Sequence, residues 1–256
     1  MKGFIFDLDG TVYLGDRIIP GAAEAIQELR DRGDKVMFLS NKPIATRLSY
    51  AHKLSKMGIP VSLQDIMNSS LLVAKYVKRI SKPGDKILVI GEEPIRDEMR
   101  EEGLVLSEHD IDVPYVVLSW DRGFTYDKLN LLYQAVVRGA EVIISNPDRT
   151  CSMEDGQIPD TGALMGALDG ALGGFTGIVV GKPSAVAAEM AVSHLGLRPD
   201  QCYMVGDRLE TDILMGNDYG MNSVLVMTGI TTSDMREQSN IKAKYVINSI
   251  KDIINL

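Results

Sequence analysis

The chain opens on a short apolar run, Phe4–Phe6, that stops abruptly at Asp7 and Asp9, and the same sequence of apolar run, polar turn and helical segment recurs along its length. Short apolar runs bounded by Gly, Pro, Asp and Asn read as buried strands. After the first run, Ala22, Ala25, Ile26 and Leu29 fall on one helix face, and Gly33 marks a stop. A second strand, KVMFLSN, precedes a helix carrying Leu48, Ala51, Leu54 and Met57. Strands alternating with helices predict a parallel α/β sheet covered on both faces. In such sheets ligands lie outside the carboxyl ends of the strands, so the polar residues that end each run are the ones to read for chemistry.

Two stretches rich in turn formers, Ser81–Lys86 and Leu172–Gly177, bracket about a hundred residues with strands of their own at KILVIG, YVVLSW and EVIISN. This predicts a discontinuous core of residues 1–80 and 177–256, with residues 81–176 inserted as a second α/β domain.

Three further apolar runs end in polar groups. KVMFLSN delivers Ser40 and Asn41; GIVVGKPS delivers Lys182; CYMVGDRLETD delivers Asp207 and, a turn later, Asp212. If these strands are parallel neighbours of the first, their ends gather on one rim. Unit charges about 4 Å apart interact by roughly 4 kcal/mol at an effective dielectric of about 20. Several uncompensated carboxylate pairs would therefore consume much of a domain's net stability of about 5–15 kcal/mol. A cation resolves the conflict. Hard oxygen ligands without nearby His or Cys favour Mg²⁺, shared by Asp7, Asp9 and Asp207. Asp7 can then attack phosphorus to give an aspartyl-phosphate. Asp9 can protonate the leaving oxygen and later take a proton from water. Ser40 and Lys182 would hold the phosphoryl oxygens.

Composition narrows the class. A net charge of −8 argues against a dedicated nucleic-acid binder, and any anionic substrate must be drawn in locally. The two cysteines, Cys151 and Cys202, form neither a CxxC pair nor a disulfide framework. No apolar run is long enough to span a bilayer, and the N-terminus reaches Asp7 without a signal-type apolar core, so a reduced cytoplasmic location is expected. GIVVGK is too short in its spacing for a P-loop, and His52, His109 and His194 form no triad or zinc pattern.

Taken in order, DLDGT, LSN, GKPS and GDRLETD resemble the four signature motifs of the haloacid dehalogenase (HAD) superfamily. The resemblance covers essentially the whole chain. It is closest to the NagD-like, 4-nitrophenylphosphatase branch, whose α/β cap of the C2 type is inserted between the second and third motifs; NPDR at Asn146–Arg149 is similar to that cap as well. What it implies is a Rossmann-like parallel-sheet core with an inserted α/β cap, and a Mg²⁺-dependent phosphatase of small-metabolite phosphomonoesters. On the matching positions, it implies Asp7 as nucleophile, and Asp9 as acid–base and donor of a backbone carbonyl to the metal. Asp207 matches the metal ligand and Asp212 its support; Ser40 and Asn41 match the phosphate- and substrate-contacting pair, and Lys182 the motif lysine.

Two other functions keep much of this constellation: a phosphomutase of the same superfamily, and a non-catalytic sensor of phosphorylated ligands. The expected partner is a small phosphorylated metabolite rather than nucleic acid or membrane, and a homodimer is compatible with the resemblance. Trp120, Asp121, Arg122 and Asn146–Arg149, which end strands of the inserted region, are candidates for reading the leaving group.

Overall fold

The computed structural model describes residues 1–153 and 156–256. In chain order, β1 (Gly3–Phe6) leads to the antiparallel pair β2 (Tyr13–Leu14) and β3 (Arg17–Ile18), then α1 (Ala22–Asp31), β4 (Lys35–Ser40), α2 (Arg47–Lys56), β5 (Ile66–Asn68) and α3 (Ser69–Ile80). There follow β6 (Lys86–Ile90), α4 (Glu93–Glu101), β7 (Val105–Ser107), β8 (Tyr115–Leu118), α5 (Tyr126–Val137) and β9 (Glu141–Ile144). Next come the antiparallel strands β10 (Thr150–Met153) and β11 (Gly156–Pro159), α6 (Thr161–Leu172) and β12 (Gly177–Val179). The chain ends with α7 (Ala185–Leu195), β13 (Cys202–Gly206), α8 (Leu214–Asp218), β14 (Asn222–Val226), α9 (Ser233–Gln238) and β15 (Tyr245–Ile247).

The chain forms two compact units. The first comprises Met1–Ser40, Arg47–Met67 and Lys182–Leu256, and the second Asn41–Thr46 and Asn68–Gly181. These bounds differ from those expected at the turn-rich stretches. Helix α3, expected in the core, packs on α4, and Tyr115 Oη donates to the Ile80 carbonyl at its end, 3.1 Å away. Strand β12, also expected in the core, pairs in parallel with β9, Val179 opposite Ile144. Both therefore belong with the second unit.

The first unit is built on a sheet of order β15-β14-β13-β1-β4-β5. The interiors of its central strands are apolar because both faces are covered: Phe4, Ile5, Phe6, Met37, Phe38 and Leu39 are buried, and the Phe4 ring stacks on Tyr203 with centroids 4.9 Å apart. Helix α1 buries the expected stripe, Ala22, Ala25, Ile26 and Leu29. On α2 the stripe is shifted, since Tyr50, Ala51 and Leu54 are buried and Leu48 is exposed. From β1 the chain moves to β4 on one side, and β13 lies on the other, so the order reverses between β1 and β13. That reversal opens the crevice in which doubly wound sheets hold ligands. Phe6 pairs with Val205 and with Phe38, so Asp7 leaves β1 level with the ends of both neighbours.

The second unit has its own parallel sheet, β12-β9-β8-β6-β7. Leu88, Val116, Leu132, Val142 and Leu168 form its core. Among the described residues no helix is long and apolar enough to cross a membrane.

Candidate active site

Asp7 follows directly on β1 and Asp207 on β13, the two strands between which the order reverses. The Asp7 amide donates to the Val205 carbonyl at 2.8 Å, which carries the sheet pairing right up to the site. After Asp207 the chain makes a π-helical turn, Leu209–Ile213, and this wide turn brings Asp212 back toward Gly206. A Cβ on Gly206 would lie 2.2 Å from the Asp212 carboxyl carbon, so only glycine admits Asp212 there. The Arg208 amide donates to Asp212 Oδ2 at 3.0 Å and fixes the carboxylate's orientation.

Lys182 does not arrive as expected. The apolar run before it belongs to the second unit's sheet, so three of the four polar strand ends, not all four, come from neighbouring strands of one sheet. Sequence alone cannot assign a short apolar run such as GIVV to one of two parallel sheets. The chain enters the first unit at Lys182 itself, where Ser184 caps α7 by accepting from the Ala187 amide at 3.2 Å. Its side chain, 2% exposed, places Nζ 2.6 Å from Asp7 Oδ1 and 2.7 Å from Asp212 Oδ1.

The structure thus brings Asp7, Lys182, Asp207 and Asp212 together. One oxygen from each of the three carboxylates lies within 4.8 Å of the others. The side chain of Asp9 is not part of that group; it points to the β2–β3 turn, where Oδ1 accepts from the Gly15 amide at 3.3 Å. That turn is tied down in turn, since Lys53 Nζ lies 2.9 Å from Asp16 and 4.2 Å from the centre of the buried Tyr13 ring. Ser40 is buried at the end of β4, next to β1. Asn41 belongs to the second unit: its amide donates to Asp148 Oδ2 at 2.9 Å, and its carbonyl accepts from Ser69 Oγ at 2.6 Å and from Asn146 at 3.1 Å.

The candidate leaving-group readers are engaged within the second unit. Asp121 pairs with Lys128 at 2.6 Å, Arg122 makes a two-pronged bond to Glu92, and Trp120 is buried.

Electrostatics set the character of the cluster. Burial pushes the Asp7 carboxyl up to about 6, against the pull of Lys182. Burial, reinforced by the like charges of Asp7 and Asp212, pushes Asp207 up to about 8. For Lys182 burial works against the charge, but Asp212 and Asp7 outweigh it and hold the ammonium above its usual range. One ammonium among two buried carboxylates and one half-buried one leaves excess negative charge, which takes up either protons or a cation. The donors are hard oxygens. Two backbone segments close on Asp207 at glycines: a Cβ on Gly10 or Gly229 would come within 2.5 Å or 1.9 Å of its Oδ2. Such a donor set fits a small, hard divalent ion.

A loop that the sequence reading passed over completes the site. After β14, the Ile230 amide donates to Asp207 Oδ2 at 2.7 Å, Thr228 Oγ1 donates to the Gly10 carbonyl at 2.7 Å, and Thr231 Oγ1 donates to the Asp207 carbonyl at 2.5 Å. The available signal was MTGITT following NSVLV, a fifth apolar run ending in glycine and hydroxyl residues.

A parallel sheet with carboxylates and a buried lysine at its switch point defines an α/β enzyme built for phosphoryl chemistry. Comparison with known proteins gives the family. The model of haloacid dehalogenase-like hydrolases matches residues 4–105, and a second, HAD-hydrolase-like model matches residues 179–253. The sugar-phosphatase AraL of Bacillus subtilis is 39% identical over 99% of this chain and 92% of its own length. The p-nitrophenyl phosphatase from Archaeoglobus fulgidus superposes with a TM-score of 0.93 at 34% identity, covering 99% of this chain and 98% of that one. A glycerol phosphate phosphatase from Mycobacterium tuberculosis, in complex with magnesium, has a TM-score of 0.90 at 26% identity, covering 98% of this chain and 76% of that one. The chain belongs to the haloacid dehalogenase-like hydrolases. It has the HAD core with its cap domain, and within the family it is a phosphoric monoester hydrolase of the NagD-like, 4-nitrophenylphosphatase branch.

Proposed function

We propose that this phosphatase requires Mg²⁺ and acts on small phosphorylated metabolites, with sugar phosphates the first class to test. The observation that carries the reading is the buried Asp7–Lys182–Asp212 array beside Asp207. Asp7 attacks phosphorus through a carboxylate oxygen, the ester P–O bond breaks, and Asp9 gives a proton to the departing oxygen. Water then attacks the aspartyl-phosphate while Asp9 takes its proton, and inorganic phosphate leaves. Lys182 holds Asp7 in line and, with Ser40, balances charge on the phosphoryl oxygens. Asp7, Asp207 and the Asp9 backbone carbonyl are assigned to the metal, with Asp212 supporting through Lys182 and the Arg208 amide. When bound, Mg²⁺ supplies charge neutralisation and orientation of the phosphoryl group. The magnesium complex among the relatives supports the choice of ion, and the sugar-phosphatase relative supports the substrate class. Cytoplasmic residence belongs to the same reading, supported by Cys202, which is buried and not in a disulfide.

The test is hydrolysis of 4-nitrophenyl phosphate with Mg²⁺ and with EDTA, beside a panel of phosphorylated sugars, nucleotides and glycerol phosphates ranked by kcat/KM. Asp7→Asn is expected to lose at least about a thousandfold in kcat. Full activity of that variant, or activity indifferent to EDTA, rejects the proposal.

A further inference from the structure

The segment Thr228–Thr231 makes three hydrogen bonds, and each falls at or beside a group assigned to the metal. Thr228 Oγ1 donates to the Gly10 carbonyl, one residue beyond Asp9, and Thr231 Oγ1 donates to the carbonyl of Asp207. The Ile230 amide occupies Asp207 Oδ2. Between the two threonines, Gly229 brings its backbone so close to that oxygen that any side chain would overlap it, and a Cβ on Gly10 would lie 2.5 Å from the same oxygen and 3.1 Å from Oδ1. Oδ2 of Asp207 is thus engaged by an amide and crowded by two glycine backbones, which makes Oδ1 the better placed oxygen for a cation.

We infer that Thr228–Thr231 is a positioning loop that fixes the spacing of the Asp9–Gly10 turn from Asp207 and restricts Asp207 to one-oxygen coordination. The inference rests on the Mg²⁺ reading above. Its consequence is ion selectivity. Ca²⁺ takes six to eight oxygens at longer distances and accepts two-oxygen carboxylates, whereas Mg²⁺ demands near-octahedral geometry at about 2.0–2.1 Å and pairs with one carboxylate oxygen at a time. A loop that withholds Oδ2 and holds two backbone segments at a set distance favours the smaller ion. Loosening it should penalise Mg²⁺ more than Ca²⁺.

The experiment is calorimetric titration of the full chain with Mg²⁺ and, separately, Ca²⁺, on wild type, Thr228→Val, Thr228→Ser, Thr231→Val and Thr232→Val. Thr232 is the neighbouring control, because its hydroxyl caps α9 through the Met235 amide at 3.2 Å and touches no site group. Thr228→Val and Thr231→Val should each weaken Mg²⁺ binding by about tenfold, with a clearly smaller change for Ca²⁺. Thr228→Ser, which keeps the hydroxyl, should restore wild-type binding, and Thr232→Val should lower thermal stability alone. Thr231→Val carries the test should Thr228→Val not fold. Equal losses for both ions, or none, overturn the inference. A wild-type protein that binds neither ion overturns the Mg²⁺ reading itself.

Discussion

Lys182 shows how a single side chain can hold a site together by charge. Its ammonium, 2.6 Å from Asp7 and 2.7 Å from Asp212, is taken almost wholly out of water, and a lone buried ammonium would be costly. Two carboxylates make that burial tolerable, and the ammonium in turn permits two carboxylates to lie close together. Removing it leaves both acids without a counter-charge. Lys182→Met, of similar length and apolar, should therefore cost about 3–5 kcal/mol of stability, read by urea denaturation. It should also lower kcat at least about a hundredfold on 4-nitrophenyl phosphate, since the proposed donor to the phosphoryl oxygens is lost. A variant as stable as wild type would mean that Asp7 and Asp212 are compensated from elsewhere.

At the scale of elements, Asp7, Ser40 and Asp207 stand where apolar strands of one sheet run out, and that is why these positions were legible. Phe4–Phe6, Val36–Leu39 and Tyr203–Val205 are buried strand interiors, and the first polar residues past them are Asp7, Ser40 and Asp207. What was not legible depends on pairing between distant segments. GIVV reads as a strand, but its place beside β9 is decided by partners far off in sequence, so the domain bounds came out displaced. The role of Thr228–Thr231 was hidden for a similar reason, because its hydroxyls act on carbonyls that no spacing rule connects to them. The turn after β13 offers a sharper test of element geometry. Gly206→Ala would drive a Cβ to 2.2 Å from the Asp212 carboxyl carbon, within reach of relief only if the π-helical turn shifts. The expected result is a loss of about 1–3 kcal/mol together with reduced kcat, checked by denaturation and steady-state kinetics. The exposed counterpart is Thr125→Ala, which removes the cap of α5 in the second unit; it should cost about 1 kcal/mol and leave kcat unchanged.

For the whole molecule, the carboxylate cluster links folding stability to pH and to divalent ions. The Asp7 and Asp207 carboxyls are raised to about 6 and about 8, from an ordinary 3.8. The folded state therefore holds these protons more tightly than the unfolded chain does. Their contribution to stability is fully present below about pH 3.8, and is lost as pH rises through about 6 and then about 8. Without a divalent ion, these two groups make the protein progressively less stable across that window. A bound cation takes the place of the protons, and its own binding strengthens as they leave. Thermal unfolding in EDTA and in millimolar Mg²⁺ should accordingly diverge with pH, the gap in Tm being small at pH 5 and widest near pH 9. Asp207→Asn removes the more strongly shifted carboxyl, so its EDTA curve should fall less between pH 6 and 9, and its response to Mg²⁺ should shrink. A Mg²⁺-induced gap of equal size at every pH would mean that the ion binds away from these carboxylates, and would separate the cluster from the metal.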